Sequence, residues 1–448
     1  MSNKTQAQDD QYEDDMEQRD DAVIGRAFRW SLAAILALLT VGGVVGFLLN
    51  RPKPKPVVRE TKLSPVQVRE LPTIRPPAVR FTDITTKAGI DFVHNNGATG
   101  EKLLPETMGG GMAFFDYDDD GDQDLLLVNS QDWPGDPASG RSQTMALYQN
   151  QGGQFTNVTS GSGLDVSMYG MGIAVGDYDS DGRVDIFLTA VGTNRLFRNL
   201  GEGRFEDVTE TAKVGGDADR WSTSAGWFDY DNDGDMDLFV CNYVQWSKEF
   251  DVNQNFQLVG GGRAYGRPQN FGGTFPYLYR NDGNGTFSDV SAEVGIQLRN
   301  PATGVPLSKS LGLAICDVDG NGFLDVIVAN DTVQNVLLRN NGNGTFNDVG
   351  ALSGIAFDAD GNARGAMGID VSLVRGTRAM AVAIGNFANE MSAYYVTRAG
   401  QMQFVDEAIS TGLGPSTRLQ LTFGLFYFDY DHDTRLDLFC ANGHLEED

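Results

Sequence analysis

Cysteine and histidine are scarce in this chain, with three of each among 448 residues. Cys241, Cys316 and Cys440 are odd in number and lie in or beside apolar runs, so they supply no disulfide framework and no zinc spacing. His94, His432 and His444 stand apart in sequence, and no Ser/His/Asp set or phosphate-binding glycine loop accompanies them, which argues against an enzyme. Positive charge is also short. Lys and Arg number 34 against 61 Asp and Glu, a net charge of −27, and such a surface does not suit a nucleic-acid partner.

Glycine is abundant instead, 55 residues with no collagen period, which points to many tight turns between short strands. The N-terminal fifth is of another kind. Residues 1–29 are polar and acidic and read as a disordered tail. "WSLAAILALLTVGGVVGFLL" (30–49) carries no charge over twenty residues, enough to cross a bilayer. A cleaved signal peptide is the rival reading. The late start, the length and the following "NRPKPKP" favour an uncleaved transmembrane helix. Residues 50–79 hold seven of the fifteen prolines and read as a semi-rigid stalk. Lys4, Arg19, Arg26 and Arg29 precede the span and Arg51, Lys53, Lys55, Arg59 and Lys62 follow it, a balance that leans against export of the C-terminal part. The loops described next outweigh it.

"FFDYDDDGDQDLLLVNS" (114–130) sets six acidic residues within nine positions and then turns apolar. It recurs with first aspartates at 177, 229, 317 and 429, at intervals of 61, 52, 88 and 112. The last interval is twice 56, and "MGIDVSLVRGTRAMAVAIGN" from Met367 is a hidden copy, with Leu373, Arg375, Thr377 and Ala381 at the ligand positions. "LFRNLGEGRF", "LYRNDGNGTF" and "LLRNNGNGTF" each read as strand, Asn/Gly turn and strand, and an "FxDV" tag marks the second strand at Phe155, Phe205, Phe287, Phe346 and, worn, Phe404. One unit therefore has four strands. Four-stranded units repeated around a ring make a β-propeller, an all-β fold that protects strand edges by closure.

In the acidic loops, carboxylates at positions 1, 3, 5 and 9 and a carbonyl at position 7 form an all-oxygen set suited to Ca²⁺. The candidate ligands are Asp116, Asp118, Asp120, Asp122 and Asp124; Asp177, Asp179, Asp181, Arg183 and Asp185; Asp229, Asp231, Asp233, Asp235 and Asp237; Asp317, Asp319, Asn321, Phe323 and Asp325; and Asp429, Asp431, Asp433 and Asp437, for up to five ions. Position 6 is Gly121, Gly182, Gly234 and Gly322, but Thr434 in the last loop. An EF-hand is excluded, because position 12 is Leu127, Leu188, Val240, Val328 or Cys440 instead of Glu, within strand-like runs. In the hidden copy, Arg375 is placed to stand where an ion would sit.

These motifs, with "FTDITTKAGIDFVHNNGATGEKLLPETMGGGMAFFDYDDDGDQDLLLVNS" (81–130), "LFVCNYVQW", "AIGNFANE" and "CANGH", resemble the FG-GAP/VCBS repeats of integrin-α-like propellers. More closely they resemble the cartilage acidic protein family and its bacterial relatives that end in an ASPIC/UnbV-type domain. The resemblance covers roughly 80–448. It implies structural Ca²⁺ in the Asp loops, a role at surfaces or in matrix, no catalytic centre, and a ring usually of seven blades. Six units are visible here, the sixth incomplete and lacking its "LxRN" strand, with no ASPIC-type part. "VRFTDI" (79–84) is a candidate last outer strand of the ring.

The expectation is a membrane-anchored, extracytoplasmic calcium-binding propeller that binds a protein or glycan. Its alternative is a polysaccharide lyase or hydrolase on the same scaffold. The insertion at 242–279 offers Tyr243, Trp246, Phe250, Phe256, Tyr265 and Phe271 either as a partner surface or as packing of the loop onto the propeller.

Overall fold

The computed structural model describes residues 6–50, 80–258, 260–374, 377–397 and 401–445, with side chains from residue 23 onward. It divides into two units, 1–78 and 79–448.

The first unit is one helix, α1 (Gln6–Leu49). Helix begins at Gln6, inside the acidic stretch expected to be disordered. Its Val23–Leu49 portion has a mean hydropathy of 2.6 and exposes its apolar side chains, long and apolar enough to cross a membrane. The stalk expected at 50–79 lies outside the described residues, apart from Asn50 at the helix end.

The second unit is a β-propeller of antiparallel blades. Blade one is β1 (Met112–Phe115), β2 (Asp124–Leu127), β3 (Ala146–Gln151) and β4 (Gln154–Asn157). Blade two is β5 (Gly170–Gly176), β6 (Asp185–Ala190), β7 (Arg195–Gly201) and β8 (Arg204–Asp207). Blade three is β9 (Ser222–Phe228), β10 (Asp237–Asn242), β11 (Tyr277–Asn281) and β12 (Phe287–Asp289). Blade four is β13 (Ser310–Cys316), β14 (Asp325–Asn330), β15 (Val336–Asn340) and β16 (Phe346–Asp348). Blade five is the hidden copy, complete in β17 (Ala366–Leu373), β18 (Met380–Asn386), β19 (Ala393–Thr397) and β20 (Phe404–Asp406). Blade six holds two described strands, β21 (Thr422–Phe428) and β22 (Asp437–Asn442).

The second strand of each four-stranded blade is the core. β6, β10 and β14 are buried at every position, which is why their sequences run apolar without alternation. Each inter-blade layer takes side chains from both neighbours: Phe115, Leu126 and Leu147 of blade one meet Ile186, Leu188 and Phe197 of blade two. First strands meet around a central cavity of about 480 Å³ walled by Gly172, Gly312, Gly368 and Gly424 and their neighbours. Glycine is required by the closeness of that approach. A Cβ on Gly172 would lie 2.1 Å from the Thr223 carbonyl oxygen, and one on Gly368 would lie 2.3 Å from that of Phe423.

A repeated aromatic contact ties each tag to the blade before it: Phe205 to Tyr117 (6.4 Å between ring centroids), Phe287 to Tyr178 (5.8 Å) and Phe346 to Tyr230 (6.1 Å). Phe81 makes the same contact with Tyr430 at 6.2 Å and also meets Phe439. Residues 80–84 do not pair as a strand, so the expected outer strand is absent there. Phe81 instead sits against blade six as the tag of a following blade would.

At one end of the cavity, Trp133, Tyr169, Trp221 and Tyr243 gather in an apolar cluster beside the turn Leu104–Thr107. Glu106 is 5% exposed there, and burial pushes its carboxyl up to about 7, with Asp251 and Glu101 adding to the shift. The native fold therefore holds this proton more tightly than the unfolded chain does. Stability from this group is full below about pH 4.5 and is lost as pH rises through about 7. Replacing it, Glu106→Gln, is expected to flatten that fall, a gain of about 3 kcal/mol at pH 8 and none at pH 4. Urea unfolding of both proteins at the two pH values checks it.

Candidate metal centres

Each acidic loop joins the first strand of a blade to the second, and its turn is closed by its own aspartates. In loop one the Asp116 carboxylate accepts from the Asp120 and Gly121 amides at 3.1 and 2.9 Å. Loops two, three, four and six repeat both bonds from Asp177, Asp229, Asp317 and Asp429. Position 4 is left-handed at Asp119, Ser180, Asn232, Gly320 and His432, and position 6 is left-handed too. Glycine suits the second turn in four loops (φ +86 to +97°), whereas Thr434 is forced to φ +67°. A β-branched residue there is strained. Thr434→Gly is accordingly expected to stabilise the protein by about 1 kcal/mol, read as a raised melting temperature.

The structure brings together positions 1, 3 and 9. Asp116, Asp118 and Asp124 offer oxygens within 4.8 Å of one another, and so do Asp177/Asp179/Asp185, Asp229/Asp231/Asp237, Asp317/Asp319/Asp325 and Asp429/Asp431/Asp437. Position 5 is outside this group. Asp120, Asp181, Asp233, Asn321 and Asp433 each turn a side-chain oxygen onto the amide of position 7, at 2.7–3.0 Å, because a short Asp or Asn side chain two residues upstream closes an Asx turn first. Position 7 side chains go elsewhere. Asp122 accepts from Gly152 N, Arg183 pairs with Asp181 and donates to the Asn199 carbonyl, Asp235 lies by Gly283, and Phe323 packs on Gly342.

Position 9 is fully buried in loops one to four and receives two amides. Asp237 accepts from Tyr230 N at 3.0 Å and from Asn281 N on β11 at 2.8 Å, and Asp124, Asp185 and Asp325 repeat the pattern with Asn150, Asn199 and Asn340. These asparagines belong to the third strand, and three of them reach further. Their Nδ2 groups donate to the position 2 carbonyl of the preceding blade's loop, Asn199 to Tyr117, Asn281 to Tyr178 and Asn340 to Tyr230, at 2.7–2.9 Å. The acidic loop is thus a joint within a blade and between blades. Sequence reasoning missed this role, although the "N" of "LxRN", and of "LYQN" in blade one, carries it.

Burial pushes Asp185 and Asp237 up to about 7 and Asp325 to about 6, the neighbouring carboxylates adding to the shift and the amide donors opposing it. Asp124, Asp179 and Asp231 are raised by burial as well. Within the acidic loops, three buried oxygens have no hydrogen-bond partner among the described residues, and all are Oδ1 of position 3: Asp118, Asp179 and Asp231. Crowded carboxylates with one orphaned oxygen aimed among them fit a hard divalent cation. Loop six is more open, with Asp431 exposed. Among its described residues the hidden copy has no such group, and a Val374–Ala379 bond closes its turn, while Arg375 lies outside the described residues.

The insertion mostly packs inward. Tyr243 and Phe271 are buried, and Trp246 lies 5.1 Å from Trp133 and donates its indole N–H to buried Asp251. Phe256 and Tyr265 are half-buried, Lys102 stands over the Tyr265 ring, and Phe250 alone of the six is 42% exposed. Of the two readings offered for these residues, the burial of Tyr243 and Phe271 and the Trp246–Trp133 contact favour packing of the loop onto the propeller. Alternating polarity could not reveal this, because the loop has no strand period. None of the three histidines joins a metal-binding group among the described residues.

With this geometry in place, the FG-GAP-like repeat family matches residues 116–188 and 177–240. The chain is 28% identical to Cartilage acidic protein 1 of Xenopus tropicalis over 190 residues, 41% of this chain and 24% of that protein. It is 26% identical to the human protein over 210 residues, 45% of this chain and 27% of that one. The chain thus spans about a quarter of the curated relatives it matches. Among solved structures, an Agrocybe aegerita lectin recognising non-reducing terminal N-acetylglucosamine has a TM-score of 0.42 at 17% identity over 74% of each chain. YCF48 bound to D1 peptide has a TM-score of 0.31 at 11% identity over 74% of this chain and 88% of that one.

Proposed function

We propose, from the premise that this chain carries FG-GAP-like repeats and is related in sequence to Cartilage acidic protein 1, that it is a membrane-anchored calcium-binding propeller outside the cytoplasm. It presents its surface to a protein or glycan as a binding or adhesion module. One observation carries the calcium reading: the position 3 oxygens of Asp118, Asp179 and Asp231 are buried and unpartnered within groups of three carboxylates. A dication supplies the missing partner and offsets the burial and the carboxylate crowding that raise Asp179 and Asp231.

Extracellular calcium modules bind at roughly 10⁻⁴–10⁻³ M, far above cytosolic calcium, so loops of this kind fill only outside the cytoplasm. α1 supports the anchor. The test joins a C-terminal reporter that works only outside the cytoplasm to a glycan and protein capture from the native envelope. An active reporter and capture that chelator abolishes are expected. A reporter active only on the cytoplasmic side, or capture indifferent to chelator, overturns the proposal.

A further inference from the structure

The acidic loops are not equivalent, and the difference lies in one residue of the third strand, immediately before the asparagine that clamps position 9. In blade one this residue is Gln149, whose Nε2 donates to Asp118 Oδ2 at 2.7 Å. In blade two it is Arg198, ion-paired through Nε to Asp179 Oδ2 at 2.6 Å and through a terminal nitrogen to Asp181 at 3.1 Å. In blade four it is Arg339, whose Nε contacts Asp319 Oδ2 at 2.6 Å. In blade three it is Arg280, which turns instead to Asp282 at 3.0 Å in its own hairpin. One strand position thus touches the position 3 carboxylate in three blades, with a neutral group once and a guanidinium twice. The register explains the reach. This residue faces the loop because the next residue's amide is pinned to the buried position 9 aspartate.

We propose that this third-strand residue sets the divalent-ion affinity of each loop, sorting the loops into two classes. The inference rests on the calcium reading above. A guanidinium on the position 3 carboxylate supplies positive charge where the ion would bring it, so the ion must displace the pair or share the carboxylate with a like charge. Loops one and three carry no such pair on position 3; the Oδ1 atoms of Asp118 and Asp231 are orphaned as that of Asp179 is, but of the three only Asp179 has its other oxygen held by a guanidinium. Loops one and three fill first. Loops two and four begin neutralised by Arg198 and Arg339 and fill at higher calcium. In loop four Asp319 Oδ1 is also taken by the Asn321 amide at 3.1 Å. Loop six has two described strands and an exposed Asp431, and it joins the weak class.

The proposal is tested by calorimetric calcium titration of the purified full chain, with terbium luminescence as a second readout. The wild type is expected to show two tight equivalents, separated from the rest by on the order of ten-fold in affinity. R198Q moves one equivalent from the weak class to the tight one, giving three. Q149R moves one the other way, leaving one. R198K keeps the charge without the planar fork and stays with the wild type, which separates a charge effect from a disturbed fold. Tight equivalents unchanged by R198Q and Q149R, in proteins that melt as the wild type does, overturn the grading and leave the calcium reading standing. No calcium binding in any of the four proteins overturns both.

Discussion

Chelation is expected to lower the melting temperature of the propeller by roughly 5–10 °C relative to 10 mM Ca²⁺. Each filled loop adds RT ln(1 + [L]/Kd) to the stability, about 1.4 kcal/mol where calcium stands at ten times the dissociation constant. The gain should appear as cooperative stabilisation of the whole ring. The loops lie on the seams: the position 9 aspartate of each candidate metal group in loops one to four holds the third strand, and Asn199, Asn281 and Asn340 of that strand hold the neighbouring blade. An ion that stiffens one loop therefore resists separation of two blades. Differential scanning calorimetry in chelator and in calcium measures the effect. Magnesium in place of calcium should recover only part of it, because Mg²⁺ gives up water reluctantly and demands closer octahedral geometry. An unchanged melting temperature would remove calcium from the account of this fold.

The propeller was legible in the sequence because its signals are repeated. Five acidic loops at related spacings fixed the units, and the interval of 112 disclosed a sixth, which folds as β17–β20 although its acidic loop is lost. Blade five keeps its place because strand pairing and apolar burial need no ligand: β18 buries six of seven residues without one. The candidate ligands were legible as residue types but not as roles. Positions 5 and 9 are both carboxylates in four of the five loops, yet one caps the next turn and the other, in loops one to four, is sealed under two amides. What separates them is burial at the start of β2, β6, β10 and β14, which no one-dimensional spacing displays. The insertion aromatics stayed open between two readings for a related reason. A tryptophan packed against Trp133 and one offered to a partner have the same composition, and only the presence of Trp133 from another blade decides between them. The helical start at Gln6 also escaped, since eight acids between Asp9 and Asp21 read as a solvated tail, whereas the segment continues a helix whose later turns are strongly apolar.

Asp237→Ala and Asp231→Ala should separate architecture from ion binding within a single loop. Asp237 is fully buried and its two oxygens satisfy Tyr230 N and Asn281 N. Removing the carboxylate leaves two buried amides without acceptors, each costing about 1–3 kcal/mol, so a loss of about 3 kcal/mol or more is expected even in chelator. The damage spreads to blade two, because Asn281 also carries the bond to the Tyr178 carbonyl. Asp231 differs in that its Oδ1 has no partner and its ionised form is disfavoured by burial and by Asp233 and Asp229. Without calcium, Asp231→Ala removes a crowded charge and should leave stability within about 1 kcal/mol of wild type or slightly above it. With calcium the order changes: the loop loses an ion ligand, one tight binding equivalent disappears, and the protein forfeits that ion's share of the stabilisation. Urea unfolding of the three proteins, each with chelator and with calcium, gives the comparison. If Asp231→Ala were as damaging in chelator as Asp237→Ala, position 3 would be a structural clamp like position 9. The orphaned oxygens would then have to be satisfied by protein groups or water instead of an ion.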